Sequence, residues 1–212
     1  MPRKKRRHNA RGMELSINFI VTLILSIVIF GFGIYLVKQF FGFANEAQAK
    51  VDIDTKAVIE QRLLDAGDKA AIPLSKAKAR VGESYTFGLG VLNTFNSPHT
   101  FSVSMKFTKA FDESGDEVTQ AEPTYINKNW LFSSIPDISL GANEHAIIPL
   151  TVRVDSKMTE DGHPTQKGYT YVFNVCVQRD GVALVKDCAN VDRSELSNLH
   201  GDQVLKVYVQ VV

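Results

Sequence analysis

The chain has 212 residues, 44% of them apolar, with 24 Lys and Arg against 23 Asp and Glu. That length suits one globular domain plus a non-globular segment better than two full domains. Residues 1–12 hold six of the basic residues and no acid, so the rest carries 18 basic against 23 acidic side chains, a net −5 that repels phosphate and excludes nucleic acid as the expected partner.

Arg3, Lys4, Lys5, Arg6, Arg7 and Arg11 make residues 1–12 a basic cytoplasmic leader. Leu15 to Val37 follows as a run of 23 residues without a charge. As a helix it is ~35 Å long, enough to cross about 30 Å of hydrocarbon with some tilt. Because positive charge is retained on the cytoplasmic side, the expected topology is N-terminus inside and C-terminal domain outside, with Lys38 snorkelling at the outer boundary. Three processing fates compete. An ordinary secretory signal could use Ala47-Gln48-Ala49 as its cleavage site, but the apolar run is too long for such a signal. An uncleaved signal anchor fits the length and flanks.

The third fate rests on Arg11-Gly12-Met13-Glu14-Leu15-Ser16-Ile17-Asn18-Phe19. This junction resembles the class III signal peptide of archaeal type IV pilins and archaellins, in which a basic residue and a glycine precede the hydrophobic segment. The resemblance covers about residues 3–41. It implies cleavage after Gly12 by a membrane prepilin peptidase, with Arg11, Gly12, Met13 and Glu14 as the processing residues and the apolar helix kept on the mature protein. In the bacterial pattern the acidic residue lies fifth after the cut, whereas Glu14 would lie second. The implied product is a structural subunit of a cell-surface filament, assembled with copies of itself or with other pilin-like subunits.

Asn18, Thr22 and Ser26 recur every four residues, and Gly33 falls on the same helical face. Small and polar side chains in one stripe permit close helix approach and interhelical hydrogen bonds. The alternative is that Ser and Thr bond back to their own helix. Past the membrane, Phe40, Ala44, Ala47, Val51 and Val58 continue an apolar stripe, and Asp65-Ala66-Gly67-Asp68 offers a glycine stop. Residues 13–68 are therefore expected to be a transmembrane and extended amphipathic helix, ~80 Å long from Glu14 to Ala66.

Residues 69–212 change to an alternating period. Tyr85, Phe87, Leu89 and Val91 share one strand face, and Phe101, Val103, Met105 and Phe107 share the next, with Asn96-Ser97-Pro98 turning between them like a hairpin. Further strands are expected at Ala146 to Val154, where Pro149 marks an edge or bulge, at Tyr169 to Val177 and at Gln203 to Val211. A short one is expected at Val182 to Lys186, after the turn Gln178-Arg179-Asp180-Gly181. Ala110 to Asn129 and Ser156 to Gln166 read as long loops. The expected class is α+β: a long N-terminal transmembrane helix followed by a mainly antiparallel immunoglobulin-like β-sandwich.

Chemistry is sparse. Cys176 and Cys188 flank the turn and either form a disulfide or remain two reduced core thiols. His99, His145, His163 and His200 stand singly among turn residues, without metal-ligand spacing, and read as solvated loop histidines. Asp112-Glu113-Ser114-Gly115-Asp116-Glu117 lacks the alternation of a calcium loop. Trp130 reads as a core anchor. No catalytic constellation, phosphate loop or dinucleotide fingerprint is present in the sequence, so neither an enzyme nor a cofactor is expected. The rival to a filament subunit is an uncleaved, monomeric, membrane-anchored extracellular binding module; an envelope enzyme ranks third.

Overall fold

A computed structural model describes residues 19–33, 53–132 and 135–212, and the chain divides into two units, Met1–Glu46 and Ala47–Val212. In the first unit, residues 19–33 form a helix, α1. Among the described residues no helix is long and apolar enough to cross a membrane. Of the expected continuous helix over residues 13–68, residues 13–18 and 34–52 lie outside the described residues, and α1 and α2 (Ile53–Leu64) are the parts described as helical.

Helix α2 opens the second unit and stops where Gly67 takes a φ of 73°, a conformation that a Cβ disfavours. Its buried face is Ile59 and Leu63, one turn apart, while Val58 is exposed. The expected stripe through Val58 is therefore corrected. It was propagated along a single helix, whereas the docked face is set by the sheet beneath.

That sheet has three strands in the order β1-β3-β6: β1 (Ala70–Ala71), β3 (Ser84–Leu92) and β6 (His145–Arg153), all antiparallel. The second sheet has five, in the order β2-β8-β7-β4-β5: β2 (Lys76–Ala79), β8 (Leu205–Val211), β7 (Thr170–Arg179), β4 (His99–Phe111) and β5 (Ile138–Leu140). Its pairs are antiparallel except β2 with β8. The two sheets sandwich one core, to which alternate residues contribute Phe87 and Leu89 from β3, Phe101 and Phe107 from β4, Phe173 and Val175 from β7, and Val207 and Val209 from β8. A mainly antiparallel β-sandwich thus follows from the alternation. Pro149 lies on β6, an edge strand, where a missing N–H leaves no central ladder bond unmade.

Three expectations are corrected. Strands β3 and β4 form no hairpin, because the chain leaves one sheet after β3 and enters the other at β4. Alternation reports which face a residue occupies, not which strand lies beside it. The corner is held by Asn93, which is fully buried. Its amide nitrogen donates to the carbonyls of Ser97, Leu140 and Gly141 at 2.9, 3.1 and 2.9 Å, and its side-chain oxygen accepts from the Phe95 N–H at 3.0 Å. Second, Val182 to Lys186 is irregular rather than a strand, with Leu184 exposed. Third, the expected loop from Ala110 to Asn129 contains a short helix, α3 (Pro123–Asn129), with proline in its first turn, where the missing N–H is tolerated.

Helix α3 and the residues after it close one flank of the sandwich. The Phe107 N–H on β4 donates to Asn127 Oδ1 at 2.7 Å, the Arg153 N–H at the end of β6 donates to the Trp130 carbonyl at 2.8 Å, and Leu131 bridges Val152. Trp130 is fully buried, its ring centroid 4.4 Å from that of Tyr171 and its indole N–H donating to the Lys157 carbonyl at 3.0 Å. The core-anchor reading of Trp130 agrees with this placement.

Candidate functional sites

Arg11, Gly12, Met13, Glu14 and Asn18 lie outside the described residues. Thr22, Ser26 and Gly33 are on α1, where Ser26 Oγ donates to the Thr22 carbonyl at 2.8 Å, the back-bonded arrangement weighed above as the alternative to interhelical contact. Among the described residues, no side chain stands within 4 Å of where a Gly33 Cβ would be. Apolar side chains go all round this helix and are exposed, Phe19 to 67% and Phe30 to 70%. A helix apolar on every side is stable only under a cover of lipid or other protein.

Cys176 on β7 and Cys188 in the following loop are joined by a disulfide, Cα–Cα 5.9 Å. Both cysteines are buried with Leu199, and Val185, Val191 and Leu196 pack around them. The loop is held a second time by Asn174 on β7, whose amide nitrogen donates to the Cys188 and Ala189 carbonyls at 2.9 and 3.2 Å. Asp187 caps the same loop, and the N–H of Ala189 and the amide of Asn190 hold its carboxyl below the usual range.

Two of the four histidines, His99 and His200, depart from the solvated reading, whereas His163 is exposed. His99 Nδ1 donates to Asp180 Oδ1 at 2.7 Å, and with that tautomer Nε2 accepts from Ser97 Oγ at 3.1 Å. Asp180 Oδ2 accepts the Thr100 N–H at 3.1 Å, and this bond, then His99, lowers the carboxyl pKa. His200 is 5% exposed, its ring centroid 4.7 Å from that of Phe101 and its Nε2 donating to the Leu92 carbonyl at 2.7 Å. Burial lowers its pKa. Phe95 completes the cluster, lying edge-on to His99, with the Arg179 guanidinium 4.1 Å from its centroid.

Ser97, His99 and Asp180 stand in the hydrogen-bond order of an acyl-transfer triad. The residue after Ser97 is Pro98, however, which has no N–H to help form an oxyanion hole there. The amide of Asn93 is already committed to three carbonyls. The arrangement clamps the β3–β4 corner to the end of β7. Sequence reasoning missed it because His99 and Asp180 are 81 residues apart; the only local signal was that both border turns. In the acidic turn, Asp112 Oδ1 accepts the N–H groups of Ser114 and Asp116, each at 2.9 Å, so its carboxylate organises the turn itself. Among the described residues no group of three or more His, Cys, Asp or Glu is arranged to hold a metal ion.

No protein-family model matches the chain, and comparison with curated proteins finds no match. Among solved structures, the PapD-like domain 7 of human CEP192 aligns at 16% identity and TM-score 0.35, covering 68% of this chain and 86% of that one. The CooA pilin subunit of enterotoxigenic Escherichia coli aligns at 10% identity and TM-score 0.33, covering 68% and 97%. A family 123 glycoside hydrolase from Clostridium perfringens aligns at 10% identity and TM-score 0.37 over 65% of this chain, which spans only 22% of the hydrolase. At these TM-scores none of the three carries an argument about what this chain does.

Proposed function

We propose that the chain is a non-catalytic structural subunit of an archaeal type IV pilus-like surface filament. In this reading a prepilin peptidase cuts after Gly12, the helices from Met13 onward bundle in the filament core, and immunoglobulin-like sandwiches face outward for adhesion or surface contact. The observation that carries it is the junction Arg11-Gly12-Met13 set directly against an uncharged run of 23 residues. The all-round apolar surface of α1 supports it, since bundling with other copies would supply the missing cover. A disulfide in the sandwich agrees with an oxidising exterior. N-terminal sequencing of membrane-extracted protein, together with imaging of purified surface filaments, tests it. The expected mature terminus is Met13, and an intact Met1 or Pro2 defeats the processing step.

A second reading is an uncleaved, membrane-anchored extracellular binding module. It is favoured by the Ser26 hydroxyl, which is turned onto its own helix rather than outward. Replacing Gly12 with leucine separates the two: the filament reading expects an unprocessed band and lost assembly, the anchor reading no change.

A further inference from the structure

Residues 180–204 connect β7 to β8, and both ends of this connection are tied to the β3–β4 corner by a histidine. At its start His99 donates to Asp180, and at its end His200 donates to the Leu92 carbonyl, each at 2.7 Å. A second proton acts differently on the two rings. His99 keeps its Nδ1–H on the Asp180 carboxylate, and the Ser97 hydroxyl turns from donor to acceptor at Nε2. A carbonyl only accepts, so neutral His200 carries its hydrogen on Nε2 and leaves Nδ1 bare. That Nδ1 has no hydrogen-bond partner among the described residues, and the ring is buried, so a proton added there is stranded away from water.

The surroundings of His200 also disfavour a cation. Lys69, ahead of β1, and Arg179, at the end of β7, add positive charge; Asp202 opposes them, its carboxylate 3.9 Å from Lys69 Nζ. From β4 and the corner come the rings of Phe101 and Phe95, their centroids at 4.7 and 6.3 Å, and Phe95 in turn meets His99 and Arg179. Two successive residues in the left-handed region shape the turn that follows, Gly201 at φ 96° and Asp202 at φ 56°, where the aspartate's Cβ is disfavoured. Outside the ring, the turn rests on the His200 N–H, which donates to the Val177 carbonyl at 2.7 Å, and on Leu199, which bridges Gln178.

We propose that His200 is a proton-operated latch: a second proton on its ring frees residues 190–204 from the β3–β4 corner, while the front of the connection stays held. The Cys176–Cys188 disulfide and the Asn174 amide fix that front independently of protonation, and Asp180 remains with His99. Opening uncovers Val191, Leu196 and Leu199, which pack with the disulfide, so acid turns a sealed end of the sandwich into an apolar one. The freed ring takes its proton near 6.5 and the latched ring only at lower pH, so opening gains about tenfold for each pH unit below 6.5 until the latched ring itself titrates. The device goes beyond the filament reading and serves an assembled or an anchored chain alike.

Hydrogen exchange of the full chain in detergent micelles, followed from about pH 7.5 to about pH 5 and corrected for the intrinsic rate at each pH, tests the latch. Residues 190–204 are expected to open about tenfold more for each pH unit below 6.5, ahead of β4 and β7. His200→Gln, whose amide still donates to the Leu92 carbonyl, is expected to abolish that slope, and His99→Gln to keep it. A slope that survives in His200→Gln or vanishes in His99→Gln overturns the assignment, as does wild-type protection that is flat with pH or no weaker in residues 190–204 than in β4 and β7. NMR of labelled histidine gives a reading that needs no His200 variant: a His200 ring that titrates below 6.5 without loss of protection in residues 190–204 overturns the latch.

Discussion

A Cβ added to Gly90 would stand 2.8 Å from Leu63 Cδ1, so the glycine leaves the space in which α2 rests on the outer face of the three-stranded sheet. The same added atom would also collide with Ile59. Ala71 belongs to the same small cluster, in which Ile59 and Leu63 are each fully buried. Each such side chain contributes about 1.5–3 kcal/mol relative to exposure.

The first prediction follows from this contact. Gly90→Val should lift α2 from the sheet and cost about 1–3 kcal/mol by overpacking. Hydrogen exchange should rise across Ile53–Leu64 while the β4 and β7 amides stay protected. Adding Ile59→Ala should recover part of the loss. Equal deprotection of both sheets would refute local undocking.

Asn93 holds the corner between the sheets through three accepting carbonyls. Asn93→Ala strands acceptors in a buried site, at about 1–3 kcal/mol. Asn93→Asp should be worse, because a carboxylate would face those same carbonyl oxygens. Urea melts of the two variants give the comparison, and an Asp variant as stable as wild type contradicts the assignment.

Reducing the Cys176–Cys188 bond, or replacing both residues with alanine, should lower stability by about 3 kcal/mol, since a loop of 12 residues is released. Asn174 continues to hold the Cys188 and Ala189 carbonyls. The loop should therefore loosen without leaving β7. Asn174→Ala in the reduced protein should free it entirely, seen as protease cutting between Val182 and Lys186.

The pH dependence of stability should carry a His200 signature. Burial, with Lys69 and Arg179 nearby, lowers the folded pKa below 6.5; the Leu92 carbonyl and Asp202 oppose this without reversing it. The unfolded chain then binds more protons, so stability is full above pH 6.5 and declines as pH falls from there through the folded pKa. Asp180, lowered from 3.8, adds a separate decline only at still lower pH. Between pH 7 and about 5 the urea midpoint should fall in wild type and stay nearly flat in His200→Gln. Parallel falls would exclude His200 as the source.

The sandwich was legible in the sequence because large apolar side chains fill the face turned to the core, Phe87, Leu89 and Val91 on β3 and Phe101, Val103 and Phe107 on β4 lying at alternate positions. Strand partnership was not legible, since a period of two is the same for a hairpin and for a crossing between sheets. The docking of α2 was not legible either, since it depends on Gly90 presenting no side chain on the second face of β3. The disulfide was one of two open readings because the turn between the cysteines could bring them together. The His99–Asp180 clamp was invisible because it joins distant turns whose proximity only the assembled sheets create. The junction Arg11 to Glu14, proposed as the processing site on its sequence, lies outside the described residues.

The pairing of β2 with β8 joins residues about 130 positions apart, and β8 lies inside its sheet, between β2 and β7. A ribosome must therefore deliver nearly the whole sandwich before β2 finds β8, its ladder neighbour among the described residues. Until then the nascent chain is a half-built sheet with two raw margins, open to chaperones and to proteases alike. Clipping even the final few β8 residues would leave that gap permanently unzipped, however sound the remaining strands.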